Sequence, residues 1–499
     1  MGEVDARPFP PGDYPLVVVG SGPGAIQVSY SLRRLGVDHA VISSDEAPGG
    51  MFRRFPFFQR LLSWTKPFAP VPRDSRAYER YDWNSLLGEE PPHRAIMPQL
   101  MDGSSEFPSR PEMEAGLAEF VRRTGLPIRQ GCRWQATRAE GERFVLETSD
   151  GEYRGRVGVF AVGVAEPFTP EFPGRELVSH YVDTRDAQDY AGKRLFIIGK
   201  QNSGFELASG LLSWASRIVL ASPRPAKLSV ETNSLVGIRA RYVQPVEDRF
   251  MGGGVFILNA SIEGVERAGD ALRVRTRASD GGGDLAVEVD EVIAATGFVA
   301  PLQDLPALGV ATFGQSRLPA QTPYWESASR PGIYFAGTIG QGSAGLKKHG
   351  IPGNSGAVHG ARYNARILAR EIAERHFGLA AVRPALAPRD VVAFLLDEAT
   401  DAPELWNQKG YLARVVLFEN GGALDDGIRP LQAFVDSSGP DGVAITLEGD
   451  PEGVIRPVAY VRRRGSLAEL ALDPHPLHDF RASADGPARL SAALEELLR

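Results

Sequence analysis

The chain has 499 residues, 43% of them hydrophobic and 23% charged, which is the balance of a globular protein with more than one sizeable core and excludes a disordered or fibrous one. A formal net charge of -7 leaves no basic footprint for nucleic acid. The single cysteine, Cys132, excludes an intramolecular disulfide, a Cys-x-x-Cys redox pair and a four-cysteine metal site.

The N-terminus, MGEVDARPFPPGDYP, is polar and proline-rich, without the basic start and apolar run of a secretory signal. The longest apolar runs, such as 16–19 and 195–198, are strand-sized. The expectation is a cytoplasmic protein with no membrane partner, no metal and a small-molecule substrate. The 55 glycines and 38 prolines point to many tight turns. A strand–glycine turn–helix pattern over 16–35 returns over 194–212, so the chain holds two similar nucleotide-binding units.

In the first unit, LVVVGSGPGAIQVSYSLRRLG reads as a buried strand, a glycine turn and a helix. Gly20 permits the tight turn, Gly22 lets backbone approach a pyrophosphate, and Ala25 allows close helix–strand packing. The phosphate would sit on free N–H groups at the helix start, with Gly24 beside it. The acid expected about twenty residues later for a ribose hydroxyl is displaced. The strand 39–42 ends in Ser43-Ser44, with Asp45 just beyond. Either a serine hydroxyl replaces the carboxylate, or Asp45 reaches back. Gly49-Gly50-Met51-Phe52 follows; residues 102–123 read as a loop running into an amphipathic helix, and 144–163 as a hairpin followed by a strand.

The second unit, RLFIIGKQNSGFELASGLL, repeats the plan with Gly199 at the tight turn. Gln201 stands where the second glycine usually lies. Its side chain either weakens nicotinamide binding or points away while Asn202 and Ser203 donate hydrogen bonds. No carboxylate ends the next strand, 217–220. Ser222 and Arg224 would meet a 2′-phosphate, which favours NADPH over NADH, unless Arg224 is a solvated surface arginine. A hairpin-like stretch covers 253–297, with 281–283 as its turn. From a boundary near 380–388 the character changes to a helix and short strands around Val415, Ala444 and Val458.

Three further segments carry a resemblance. Val159-Phe160-Ala161-Val162-Gly163 is similar to the strand ending in Ala-x-Gly that leaves the first FAD section of two-dinucleotide-binding-domain flavoproteins. DEVIAATGF, at 290–298, resembles their Asp-x-x-x-x-Ala-Thr-Gly-Tyr/Phe return. GIYFAG, at 332–337, resembles the strand ending in Gly-Asp at the FAD, with Thr338 in place of the aspartate. With these motifs in order, the chain resembles those flavoproteins over about 14–380. It looks most like the class B flavin monooxygenases and N-hydroxylases. Closer still is a branch that includes the endoplasmic-reticulum flavoprotein associated with degradation, on YDWNSLL at 81–87, FAGT at 335–338 and VHGARY at 358–363. The class B fingerprint is partial: Phe172-Pro173-Gly174 is present, but His180 comes two residues late.

The resemblance implies an α/β fold of two Rossmann-like, three-layer ββα domains. An NAD(P)H-binding domain (183–290) would be inserted in an FAD-binding domain (1–182 and 291–384), with a C-terminal α+β domain of unknown role (385–499). FAD and NADPH, with NADH also open, are the implied cofactors. Gly50, Met51 and Phe52 would pass under the flavin. Trp64, Asp82, Trp83 and Asn84 would come near it, as would Gly337, Thr338, Gln341, Lys348, His349, His359 and Arg362. Catalytic candidates are His359, Lys348, Asn84 and Gln341. His359 would stabilise the anionic reduced flavin or else cap a helix. The run 341–356 reads as a pocket-lining loop.

Reductases of this superfamily pass electrons to a cysteine pair, a route closed to one cysteine. Cys132 reads as structural. The implied activity is an NAD(P)H-dependent monooxygenase that uses molecular oxygen through a C4a-hydroperoxyflavin, with amine N-hydroxylation the favoured reaction. Two alternatives stay open: an oxidoreductase passing electrons to a quinone or other acceptor, and a flavin-binding scaffold with a degenerate nicotinamide site. A homo-oligomer is also open.

Overall fold

The computed structural model describes residues 6–54, 60–232, 237–343, 345–346, 348 and 353–498. Strand β1 (Leu16–Val19) is buried throughout. Its side chains alternate between two layers, as strand geometry requires. Leu16 and Val18 join Ala25, Ile26 and Val28 of helix α1 (Pro23–Arg34) and Ile372 of the Val358–Phe377 helix. Val17 and Val19 face Trp134, Phe144 and Tyr153 on the other side. A continuous apolar run is what a strand covered on both faces needs.

β1 lies between β2 (Ala40–Ile42) and β3 (Val157–Phe160) in a four-stranded parallel sheet, and Ile333–Phe335 completes it on the far side of β3. Strands Trp134–Glu140, Arg143–Thr148 and Gly151–Gly155 form the covering antiparallel layer. The three-layer ββα arrangement is therefore as expected.

The second unit is a seven-stranded sheet. At its centre are β4 (Arg194–Ile198) and β5 (Arg217–Ser222), joined by helix α2 (Asn202–Leu211). The 14-residue strand Val255–Ala268 pairs parallel with β5 at its start and antiparallel with Ala271–Ala278 at its end. The stretch 253–297 is thus a meander rather than one hairpin. It turns at Gly269-Asp270 as well as at 281–283, then returns through Glu291–Ala294. Ser179–His180 and Glu291–Ala294 both belong to this sheet, just outside the 183–290 span.

The two crossings between the units are tied together. Glu166–Pro167 pairs antiparallel with Phe298–Val299, and Phe168 N donates to Gly297 O at 3.1 Å. The late His180 of the partial fingerprint lies here, its Nε2 3.2 Å from Gly297 O.

The C-terminal segment is a six-stranded antiparallel sheet whose main strands run eight or nine residues, longer than expected. Helices Val391–Asp401 and Gly486–Leu494 cover one face. This segment docks on the 76–80 stretch of the first unit. Arg76 meets Glu398 and Glu404, each at 2.7 Å, and the Arg80 guanidinium lies 3.9 Å above the Trp406 ring.

A cleft between two glycine turns

Gly20, at φ +126°, makes the sharp turn out of β1, and a Cβ there would lie 2.6 Å from Ala161 O. Gly24 is where α1 meets the far end of the unit: a Cβ would fall 2.4 Å from both Cα and N of Gly337. Helix α1 starts at Gly22 with Pro23 in its first turn and no side-chain cap, which leaves first-turn N–H groups for an external acceptor. Ala25 is fully buried in the core.

The end of β2 is tied to the glycine turn by hydrogen bonds. Ser21 Oγ donates to Asp45 Oδ2 at 2.8 Å, and Ser43 Oγ donates to Ser21 Oγ at 2.9 Å. Asp45 therefore reaches back over the glycine turn, with Ser43 held beneath it. Gly49 N donates to Ser21 O at 3.1 Å, and a Cβ on Gly50 would lie 3.0 Å from Gly22 Cα. The Gly49-Gly50 segment thus closes directly on the first turn.

These residues line one cleft of about 820 Å³. Gly20, Gly22 and Gly24 face it, with Ser43, Ser44, Asp45, Gly50, Met51 and Phe52, then Gly163, Gly337 and Thr338. The same cleft reaches Asn202, Ser203 and Glu206 of the second unit, and Tyr181 and Tyr242 beside them. Gly199, at φ +119°, turns there as Gly20 does. Gln201 is exposed at the start of α2 in extended conformation (φ -102°), and it is Asn202 and Ser203 that face the cleft. The Asn202 side chain itself holds the neighbouring loop, accepting from Arg239 N at 3.0 Å. Arg224 is exposed, off the cleft.

Glu206 is the residue that sequence reasoning missed. Burial pushes its carboxyl up to about 8, with a hydrogen bond to Tyr181 and the charge of Arg241 opposing the shift. It is a protonated acid at neutral pH, one helical turn past Asn202. The available signal was an acid inside the apolar run FELA.

The four catalytic candidates are placed elsewhere. His359 stacks on Trp83 at 4.2 Å, and Trp83 stacks on Trp64 at 3.6 Å. Burial first, then the charges of Arg362, Lys409 and Arg239, lower the imidazole to about 3. It is neutral, it does not line the cleft, and its stacked ring offers no cation to a reduced flavin. Lys348 pairs with Glu448 at 3.6 Å and with Glu469, so its charge is spent on the C-terminal sheet. Asn84 accepts from Ser63 Oγ at 2.5 Å and donates to Thr65 Oγ1 at 3.0 Å, inside the protein. Asp82 accepts from Thr65 Oγ1 at 2.7 Å and from Asn84 N and Ser85 N, which makes it a turn-forming acid. Asn84, Asp82 and Trp64 sit behind the cleft wall formed by 60–63. Gln341 is exposed and off the cleft. His349 lies outside the described residues; of the proposed loop 341–356, Gly356 lines the cleft, followed by Ala357 and Val358.

Residues 17–337 match the family model described as pyridine nucleotide-disulphide oxidoreductase. The chain belongs to this family. It is a flavin-dependent oxidoreductase with FAD and NAD(P)H as cofactors. FAD-dependent oxidoreductase domain-containing protein 2 of Mus musculus is 25% identical over 446 residues, 82% of this chain. The chain spans 65% of that relative's length. Among solved structures, a bacillithiol disulfide reductase from Bacillus cereus superposes with a TM-score of 0.56 at 20% identity, over 73% of this chain and all of the other. A flavin-containing monooxygenase from Stenotrophomonas maltophilia gives 0.54 at 20% identity, over 72% of this chain and 98% of the other. Both are likenesses of fold.

The family's cofactors fit what the residues offer. The uncapped start of α1, the glycine-to-glycine approach of Gly22 and Gly50, and a cleft shared by both turns match a dinucleotide laid across the first unit with a second one facing it. Among the described residues, no helix is long and apolar enough to cross a membrane.

Proposed function

We propose that this chain is an NADPH-dependent flavoprotein monooxygenase acting on a small molecule, with amine N-hydroxylation as its reaction. One observation carries the choice of oxygen over a dithiol as acceptor. The only sulfhydryl, Cys132, is buried, within hydrogen-bonding distance of Thr148 Oγ1 at 3.4 Å, and outside the cleft lining. Bound FAD would supply the two-electron chemistry, accepting reducing equivalents from NADPH and passing them to oxygen.

The chain's own groups would act as follows. The α1 start and Gly22 bind the FAD pyrophosphate, while Ser43 and Asp45 meet its ribose. Gly50, Met51, Phe52, Gly337 and Thr338 would hold the flavin in the cleft they line. Gly199, Asn202 and Ser203 receive the nicotinamide nucleotide, and Arg224 lies beyond β5 for its 2′-phosphate. Glu206 holds a proton at its carboxyl beside Tyr181. As a protonated acid it can donate a hydrogen bond to a group seated in the cleft. In this reading FAD belongs to 1–182 with 291–384, and NADPH to 183–290. The strands 179–180 and 291–294 extend the nicotinamide sheet a few residues beyond that span.

The test is spectroscopic. Purified protein should be yellow, and NADPH should bleach it without air. Readmitting air with the right amine should yield a hydroxylamine in proportion to the NADPH consumed. If air yields only hydrogen peroxide with every amine, thiol and ketone tried, oxygenation is wrong and the reading becomes electron transfer to a quinone or similar acceptor.

A further inference from the structure

The wall of the cleft at 356–358 is held from an unexpected quarter. Gln408, in the C-terminal segment, is fully buried. Its Oε1 accepts from Asn354 N at 2.7 Å. Its Nε2 donates to Asn364 Oδ1 at 2.9 Å and to Ser355 Oγ at 3.2 Å. The set closes on itself: Asn364 Nδ2 donates to Ser355 Oγ at 2.9 Å, and Asn354 Nδ2 donates to Asn407 O at 2.7 Å. These three partners of the Gln408 side chain lie in the turn before the Val358–Phe377 helix or in that helix's second turn.

Packing around this set leaves it little freedom. A Cβ on Gly360 would lie 2.3 Å from Asn354 O and 3.0 Å from Gln408 Nε2. A Cβ on Gly353 would lie 3.0 Å from the Tyr411 ring. Gln408 is itself fixed, since its N–H donates to Glu404 O at 2.9 Å and Glu404 is bound by Arg76. Two residues beyond Ser355, the chain reaches Ala357 and Val358 in the cleft. A buried amide that satisfies three partners in this way sets their positions, because leaving any of them unpaired is costly.

We propose that Gln408 is a positioning residue for the FAD site, so that the C-terminal segment acts as part of the cofactor-binding apparatus. It fixes the turn 354–357 and thereby the start of the helix that lines the cleft. The inference rests on reading the cleft as the FAD site. It adds that a segment outside the family match, 17–337, controls how FAD is held.

The experiment uses the full chain with Gln408→Ala and the isosteric Gln408→Glu. Glutamate keeps an acceptor for Asn354 N but loses both donations. Four quantities are read: FAD affinity of the apoprotein by fluorescence titration, the visible spectrum and midpoint potential of bound flavin, and hydrogen exchange of 353–361 in the apoprotein. Gln408→Ala should weaken FAD binding roughly tenfold and shift the flavin spectrum and potential, with faster exchange over 353–361. Gln408→Glu, which buries a carboxylate against Asn364 Oδ1, should change each in the same direction by at least as much; Ser355→Ala, which removes one of the three partners, should change each by less and carries the test if neither Gln408 variant folds. Gln432→Ala, in the same segment but bonded to exposed Asp436 on its own helix, should change nothing. Folded Gln408 variants, or failing those a folded Ser355→Ala, with parental FAD affinity, spectrum and potential would overturn the proposal. A parent that takes up no FAD would instead remove the flavin reading, and the exchange measurement on apoprotein tells the two failures apart.

Discussion

The two glycine turns share a plan and differ in what completes them. Both begin with a glycine pressed against the next strand: Gly20 on Ala161 O, Gly199 on Ala295 O. They part at the later glycine. Gly204, aligned with Ala25, packs on Gly199 O (a Cβ would lie 2.2 Å away), whereas Gly24, where the second turn has Ser203, meets Gly337 from more than three hundred positions along the chain. Ser21, Ser43 and Asp45 close a hydrogen-bonded set over the first turn. Around the second, Gln201 and Arg224 are exposed. Both turns are tied to distant chain, the second through Asn202 to Gly237 and Arg239, but only the first is closed over by its own serine–aspartate set.

The largest effect should come from breaking the long-range contact. In Gly24→Ala the new methyl meets the Ala336–Gly337 backbone, which cannot turn away as a side chain would. We expect a loss of about 3 kcal/mol in stability, at the upper end of overpacking costs. Thermal unfolding should show an early transition, and the variant should purify colourless. A yellow protein with the parental melting temperature would mean that the first turn does not depend on Gly337.

Glu206 sharpens the comparison from the other side, since it is a strongly perturbed acid on the second unit's wall of the cleft. Its carboxyl sits at about 8 when folded against 4.5 when exposed. Between these values the unfolded chain sheds a proton that the folded chain keeps. Stability therefore falls as pH rises through that window and is flat beyond it. Replacing the acid with its neutral isostere, Glu206→Gln, should remove the slope. Relative to the parent the variant should gain on the order of 1–3 kcal/mol by pH 8 and little at pH 4.5. Urea unfolding at the two pH values measures this; parallel parent and variant curves would show Glu206 ionised in the fold. His359, lowered from 6.5 to about 3, acts with the opposite sign: its contribution is lost as pH falls through that range.

What could be read from the sequence follows the same division. Gly20, Gly22 and Gly199 announce themselves because a turn at positive φ, or a backbone brought against a neighbour, admits few other residues. The buried strands β1 and β4 show as unbroken apolar runs for an equally local reason. Which way a side chain points was less legible. His359 follows cleft-lining Val358 in sequence yet faces the Trp83 stack, and Asn84 faces the Ser63–Thr65 cluster. Glu206 went unseen because its burial is supplied by Tyr181 from a crossing and Tyr242 from a distant loop. Strand Gly422–Pro430 was hidden by Asp425 and Asp426, which break its pattern and are paired with Arg414 and with Arg383 and Arg429 only once the fold is formed.

The smallest effect is expected at Gln201, the feature that first set the second turn apart. A glutamine at a glycine position suggests a side chain thrust between backbone and phosphate. Here the residue precedes α2 in extended backbone at φ -102°, a conformation that requires no glycine, and the side chain is exposed. Asn202 and Ser203 present themselves to the cleft without it. Gln201→Gly should therefore change the KM for NADPH by no more than about twofold, a few tenths of a kcal/mol, and leave FAD binding untouched. Steady-state kinetics over a range of NADPH concentrations would decide it. A tenfold tightening would show that the glutamine does stand in the nucleotide's way, and the second turn would then be a hindered version of the first rather than an open one.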